Sequence, residues 1–206
     1  MSDNKTGVGA MAKLGIILAL FSMVTCVGLA FVYTGTKDII AMREQEAMEL
    51  ALQELFPLAD TFEDITGVTS PDPTVTIQDG GTYAALRSGE LIGVALRTSR
   101  HSYSGPIIIL VGVGTDNRIS GIQILQNVDT PGLGANASSR NFFIDRPNGI
   151  RFPDQFTGKL VSDPFIPKQD VVAITASTIT TRAVASSVKA AGEAALAWLA
   201  RQGGVR

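Results

Sequence analysis

The spacing of apolar and polar positions divides the chain into three stretches. The first is Leu14 to Tyr33, LGIILALFSMVTCVGLAFVY, twenty residues without a charge. As a helix rising 1.5 Å per residue it reaches roughly 30 Å, the hydrocarbon thickness of a bilayer. The second is Thr36 to Phe56, where Ile40, Ala47, Leu50, Ala51 and Leu55 fall at helical steps. Glu and Arg fill its other faces, and Pro57 stops it. The third stretch changes period. After a polar, Pro- and Gly-containing connection at 60–73, short runs follow at 74–77, 82–86 and 91–97, the last two flanking the turn Arg87-Ser88-Gly89-Glu90. Pro106 to Val113 is rich in isoleucine and valine, as a buried strand would be. Thr115-Asp116-Asn117-Arg118 then turns it into Ile119–Leu125, where Ile122 and Ile124 alternate with Gln123.

Residues 126–168 read mostly as loop, with a short helix expected at 136–143 and a short apolar run at 171–174. From Thr181 to Gln202 a helix is predicted. Val184, Val188, Ala191, Ala195 and Trp198/Leu199 make one apolar stripe, and Gly203-Gly204 end it. Successive hairpins followed by a helix predict an α+β domain with an antiparallel or mixed sheet, not a βαβ array.

Composition narrows the picture. Charged residues are 17% of 206 and apolar residues 45%, a combination that a membrane segment produces. A net charge of −2 argues against nucleic acid as a partner. One cysteine (Cys26) and one histidine (His101) exclude a disulfide framework within the chain and any Cys/His metal cluster made by it alone, so no metal site is expected.

The apolar stretch has competing readings. A cleaved signal peptide has a shorter apolar core, about 7–15 residues, and Gly28-Leu29-Ala30 is a weak cleavage site. A lipid-modified Cys26 would need small residues before it, where Val24-Thr25 stand. A retained anchor fits better. Lys5 and Lys13, beside Asp3, precede it, while Lys37 and Arg43 follow among Asp38, Glu44 and Glu46, a thin bias under the positive-inside rule. The expected arrangement is a short cytoplasmic N-terminus (1–13), a span (14–33), a juxtamembrane helix (34–57) and an extracytoplasmic domain (58–206). The protein would then be a single-pass protein of the cell (inner) membrane in contact with lipid.

Candidate chemistry concentrates in Thr175-Ala176-Ser177-Thr178-Ile179-Thr180-Thr181-Arg182, which holds five hydroxyls just before the last helix. Thr178 or Thr180 is the expected N-cap, accepting a bond from a free backbone N–H. The same helix end favours an anion, because unpaired N–H groups and the positive end of the dipole meet there. Arg182 opposes the dipole by some tenths of a kcal/mol unless a phosphate lies nearby to give it a bidentate partner. A plain threonine-rich cap with an exposed arginine is the other reading.

Thr175-Ala176-Ser177-Thr178-Ile179-Thr180, followed by Arg182-Ala183-Val184, resembles the Ser/Thr-Gly-Ala-Thr-x-Thr flavinylation motif. Asp129-Thr130-Pro131-Gly132-Leu133-Gly134 is similar to a Glu-Thr-Pro-Gly-Leu-Gly loop. Phe156-Thr157-Gly158-Lys159 is similar to a Phe-x-Gly-Lys segment, and Tyr103-Ser104-Gly105-Pro106-Ile107 to an aromatic-x-Gly-Pro-Ile strand entry. Together these resemble, in order, the FMN-binding subunits of membrane redox complexes: the G subunit of the Rnf (Rsx) complex and the C subunit of the sodium-pumping NADH:quinone reductase. The chain's length suits the former. The resemblance implies FMN held covalently by a phosphoester to Thr178, with Thr175, Ser177 and Thr180 around the attachment point. Ala176 and Ser177 stand where the motif has Gly-Ala. Val172 stands where it has Asp, the nearest being Asp170.

Further site residues follow. In Thr130, Gly132, Leu133 and Gly134, Pro131 pre-sets the turn and the glycines allow close backbone approach. Leu133 would cover one face of an isoalloxazine ring, or the loop is a structural turn. Lys159 would steady a phosphate or ring carbonyl, or is a solvated surface lysine. The resemblance implies an electron-transfer subunit rather than an enzyme by itself. Its partners would be the other membrane subunits of a complex coupling ferredoxin–NAD electron transfer to sodium or proton movement, and an extracytoplasmic FMN transferase. A stand-alone FMN domain serving another reductase and a flavin-free anchored assembly domain are the alternatives.

Overall fold

The computed structural model describes residues 4–202; Asp3 and the Gly203-Gly204 pair lie outside them. The chain divides into two compact units between Glu49 and Leu50. Helix α1, Asn4–Leu55, is continuous and so merges the expected span and the helix after it. Its stretch from Gly9 is the one helix among the described residues long and apolar enough to cross a membrane. Leu18, Phe21 and Phe31 are exposed along it. The Thr25, Thr34 and Thr36 hydroxyls donate to the carbonyls of Phe21, Ala30 and Val32 at 2.8–2.9 Å, which hides their polarity against the helix backbone.

The second unit is built on a five-stranded antiparallel meander in sequence order: β1 (Thr61–Asp64), β2 (Val75–Arg87), β3 (Glu90–His101), β4 (Pro106–Gly114) and β5 (Ile119–Asn127). Runs 74–77 and 82–86 prove to be one strand, interrupted by a register shift between Ile77 and Thr82. β1 lies inside the expected connection; it is an exposed edge strand and carries no apolar alternation.

β4, between β3 and β5, is buried on both faces. One face contributes Ile107, Ile109, Val111 and Val113 to the main core, with Val94 and Leu96 of β3. Helix α2, Thr178–Arg201, completes that core through Val184, Val188, Ala191, Ala195 and Leu199, the stripe expected from its period. The opposite face presents Gly112 diagonally across from Gly93 of β3; a Cβ at Gly93 would collide with the Phe56 ring, and one at Gly112 with the Ser120 hydroxyl while pressing on Leu55 and Phe56. These two glycines therefore leave room for Phe56 close against the sheet.

Residues 126–168 carry more structure than their composition suggests. A 3₁₀ turn occupies Gly134–Ser138, short of the expected helix at 136–143, and Phe143–Asp145 is strand β6, paired with β7, Ile150–Arg151. A second 3₁₀ turn, Pro153–Phe156, follows. Tertiary contacts hold this region in place. Phe152 and Phe156 are fully buried, in edge contact with centroids 5.8 Å apart, and Phe156 stacks on Phe165 at 6.2 Å. Arg151 grips Asp154 with two bonds of 2.9 Å.

Candidate functional site

Three segments converge at one end of the sheet. The first is the tight turn between β3 and β4, closed by the Ser102 amide on the Gly105 carbonyl at 2.8 Å. The second is the loop after β5. The Asn127 side chain accepts from the Asp129 amide and donates to the Gly134 carbonyl, both at 3.0 Å, so one amide group fixes both ends of the loop. Gly132 adopts φ +78°, a left-handed conformation that glycine takes without strain. The third is the N-terminus of α2 and the turn before it.

Asp129 ties the three together. It is 5% exposed. Its Oδ2 accepts from the Ser102 hydroxyl at 2.5 Å and the Thr180 hydroxyl at 2.6 Å, and its Oδ1 from the Ser104 amide at 2.8 Å. Burial pushes its pKa up. The bonds from Ser102, Thr180 and the backbone of Ser104 and Tyr103 outweigh that and hold the carboxyl below its ordinary value. Gly134 sits against this hub: a Cβ there would come within 2.5 Å of Asp129 Oδ2 and Thr180 Oγ1. Only glycine lets the loop close so tightly.

The start of α2 differs from expectation. Its N-cap is Ser177, and Thr178 is the first helical residue. Ser177 makes no side-chain cap; its hydroxyl donates instead to Thr180 Oγ1 at 2.8 Å. Thr181 supplies the local ties, donating to the Ser177 carbonyl at 3.0 Å and accepting from the Ile174 amide at 3.1 Å. Among the described residues the amides of Thr178, Ile179 and Thr180 have no hydrogen-bond partner, as the first turn of an uncapped helix requires. Ala176 enters this turn at φ +57°, which costs a non-glycine residue about 1 kcal/mol.

A cavity of about 510 Å³ opens between the segments. Tyr103 lines it from the first, Asp129, Thr130, Leu133 and Gly134 from the second, and Ala176, Ser177, Thr178 and Ile179 from the third. Its volume is in the range of small-molecule sites. Thr130, Leu133, Gly134, Ser177 and Thr178 of the sequence-derived set therefore share one wall system. Thr180 stands behind it on Asp129, and Gly132 shapes the loop. Thr175 is exposed and off the wall. Arg182 is exposed one turn beyond Thr178 and does not line the cavity. Lys159 is elsewhere, 3.5 Å from Asp170, whose carboxylate also takes the Phe165 and Ile166 amides.

The sequence pattern does not single out Tyr103, Asp129, Ala176 and Ile179 as site residues, though all four line the cavity. Asp129 opens the Thr130–Gly134 loop, but a lone Asp before Thr-Pro-Gly reads as turn chemistry, and nothing local shows its burial.

Residues 102–193 match the family model of the FMN-binding domain, and residues 1–55 that of the RnfG N-terminal region. The G subunit of the Na(+)-translocating ferredoxin:NAD(+) oxidoreductase complex of Acetobacterium woodii is 31% identical, over 85% of this chain and 87% of its own. The G subunit of the ion-translocating oxidoreductase complex of Pseudoalteromonas atlantica is 32% identical, over 87% and 85%. That of Methanosarcina acetivorans is 29% identical, over 93% and 95%. The crystal structure of Shewanella oneidensis NqrC, at 17% identity over 65% of each chain, superposes weakly, with a TM-score of 0.42. On the family and sequence matches the chain belongs to the RnfG family, the G subunits of ion-translocating oxidoreductase complexes.

Proposed function

We propose that this chain is a membrane-anchored electron-transfer subunit of an ion-translocating redox complex, carrying FMN bound covalently through Thr178. Membership of the family and the FMN-binding match over residues 102–193 support the coarser part. Within the run 175–181 the single observation that favours Thr178 is an accounting of its five hydroxyls. Ser177, Thr180 and Thr181 are each committed to a hydrogen bond, and Thr175 is off the wall. Thr178 lines the cavity and makes no side-chain hydrogen bond among the described residues.

The residues present suit a flavin nucleotide. The unpaired amides of Thr178, Ile179 and Thr180 are a ready site for its phosphate, and Arg182 adds a cation one turn beyond. Tyr103, Leu133 and Ile179 are 68%, 41% and 52% exposed beside the cavity, apolar surface suited to a ring system. Thr130 and the loop backbone supply polar contacts at the same wall. Attachment forms one bond, from Thr178 Oγ1 to the flavin's phosphorus. It breaks the bond from that phosphorus to the leaving group of an activated flavin nucleotide presented by a transferase, and the hydroxyl proton is lost. Bound FMN supplies the redox chemistry, and the chain supplies attachment, orientation and charge. No side chain need act as an acid or base in turnover.

The apolar α1 would anchor the chain in lipid as a single span with the domain outside the cytoplasm, next to the other membrane subunits. The complex would couple ferredoxin–NAD electron transfer to sodium or proton movement. The test is flavin absorbance in the transferase-exposed full chain after denaturation. It should persist in the native sequence and vanish in Thr178→Ala; a denatured native chain without flavin would overturn the proposal.

A further inference from the structure

The hub beneath the cavity has a consequence for which hydroxyl is modified. Ser177 and Thr178 are adjacent, both line the cavity, and both are chemically competent nucleophiles. Each hydroxyl carries one proton to donate. Asp129 is an acceptor only, so the Thr180 proton must point to it, across 2.6 Å. Thr180 Oγ1 is then left to accept, and the Ser177 proton must point to it, across 2.8 Å. The chain Ser177→Thr180→Asp129 therefore has one direction. We infer that this buried chain locks Ser177 and so restricts flavin attachment to Thr178, with Asp129 and Thr180 as positioning residues.

The opposite reading treats the chain as a relay that activates Ser177 by passing its proton to Asp129. The geometry argues against it. Asp129 already takes three donors, Ser102, Thr180 and the Ser104 amide, which stabilise its charged form, so taking up the Thr180 proton would forfeit that stabilisation. Its carboxyl is held below its ordinary value and is a weak base. Ser177 is also buried, with its hydroxyl turned inward to Thr180. The lock matters in this chain because Ser177 stands where the resembling motif has alanine, so a second hydroxyl sits beside the acceptor.

The inference rests on the proposed attachment at Thr178. The test is peptide mass mapping of the full chain exposed to its transferase and a flavin dinucleotide donor, comparing four sequences. In the native chain Thr178 should carry the flavin, with Ser177 at background. Thr178→Ala should carry none. Thr178→Ala with Thr180→Val, which removes the lock, should gain flavin on Ser177. Thr178→Ala with Thr180→Ser, which keeps the relay hydroxyl, should stay bare. Should valine prevent folding, judged by loss of the thermal transition, Thr180→Ala in the same background replaces it. Comparable flavin on Ser177 in the native chain, or flavin on Ser177 in Thr178→Ala alone, overturns the lock. A folded unlocked variant that stays bare while the native chain is modified on Thr178 overturns the lock and leaves the attachment site standing. A native chain without covalent flavin overturns both.

Discussion

On the inner wall of the cavity and just behind it, the hydroxyls around Asp129 are all committed. Ser102, Thr180 and, through Thr180, Ser177 end on the Asp129 carboxylate, and Gly134 is pressed against that oxygen. On the outer wall Tyr103, Leu133 and Ile179 are exposed, and the Thr178 hydroxyl makes no side-chain bond among the described residues. The two walls share residue types, and Ser177 and Thr178 are neighbours in the chain. What separates them is the accounting of donors: the inner wall spends its protons on the fold, and the outer wall keeps a nucleophile, three amides and apolar surface for a ligand. Substitutions on the two walls should therefore fail in different ways.

The largest difference should come from Thr178→Ala. Covalent flavin is expected to fall to background while stability, read by thermal unfolding, moves by less than about 1 kcal/mol. A large fall in stability would place Thr178 on the inner wall. Next is Asp129→Ala, which leaves two hydroxyls and an amide without their acceptor. It should cost about 3 kcal/mol, or roughly 10 °C in Tm for a domain of this size. An unchanged Tm would show that the hub does not hold the three segments together.

The pH dependence follows from the same residue. The Asp129 pKa is lowered in the folded state. Its contribution is thus fully present above its unfolded value near 4 and is lost as pH falls through the lower folded value. Thermal stability should fall below about pH 4, and Asp129→Asn, though less stable, should show a shallower acid limb. An equally steep limb would mean that other carboxylates control it. The smallest effect is expected where the walls meet. Ala176 holds φ +57°, so Ala176→Gly should stabilise by about 0.5 kcal/mol after the entropy that glycine loses is counted. A loss of stability would mean that the Ala176 methyl group makes contacts worth more than the strain.

The sequence made some of this legible. β4 and β5 could be read because Ile107–Val113 and Ile119–Ile124 carry β-branched side chains between clear turn residues. The stripe on α2 could be read because a helix on a sheet buries one face. β1 could not, because Thr-Phe-Glu-Asp at an exposed edge has no apolar pattern and owes its conformation to β2. Nor could β6, β7 and the two 3₁₀ turns, which depend on distant contacts such as Phe156 on Phe165. The first turn of α2 begins at Thr178 rather than Thr181 because Thr181 closes it onto Ile174 and Ser177, a tertiary detail hidden in a run of similar hydroxyls. The site was legible as a set of loops. The division of labour within it was not, since it turns on the burial of Asp129 and on donor direction. Lys159 shows the converse: a cation in a suggestive segment whose partner, Asp170, is a structural carboxylate.

The most direct test is mass spectrometry of the peptide containing Thr175–Arg182, prepared from the full chain after exposure to its transferase. The expected added mass is that of one FMN less water, localised by fragmentation to Thr178. An unmodified peptide, or the same mass on Thr175, Ser177 or Thr180, would contradict it.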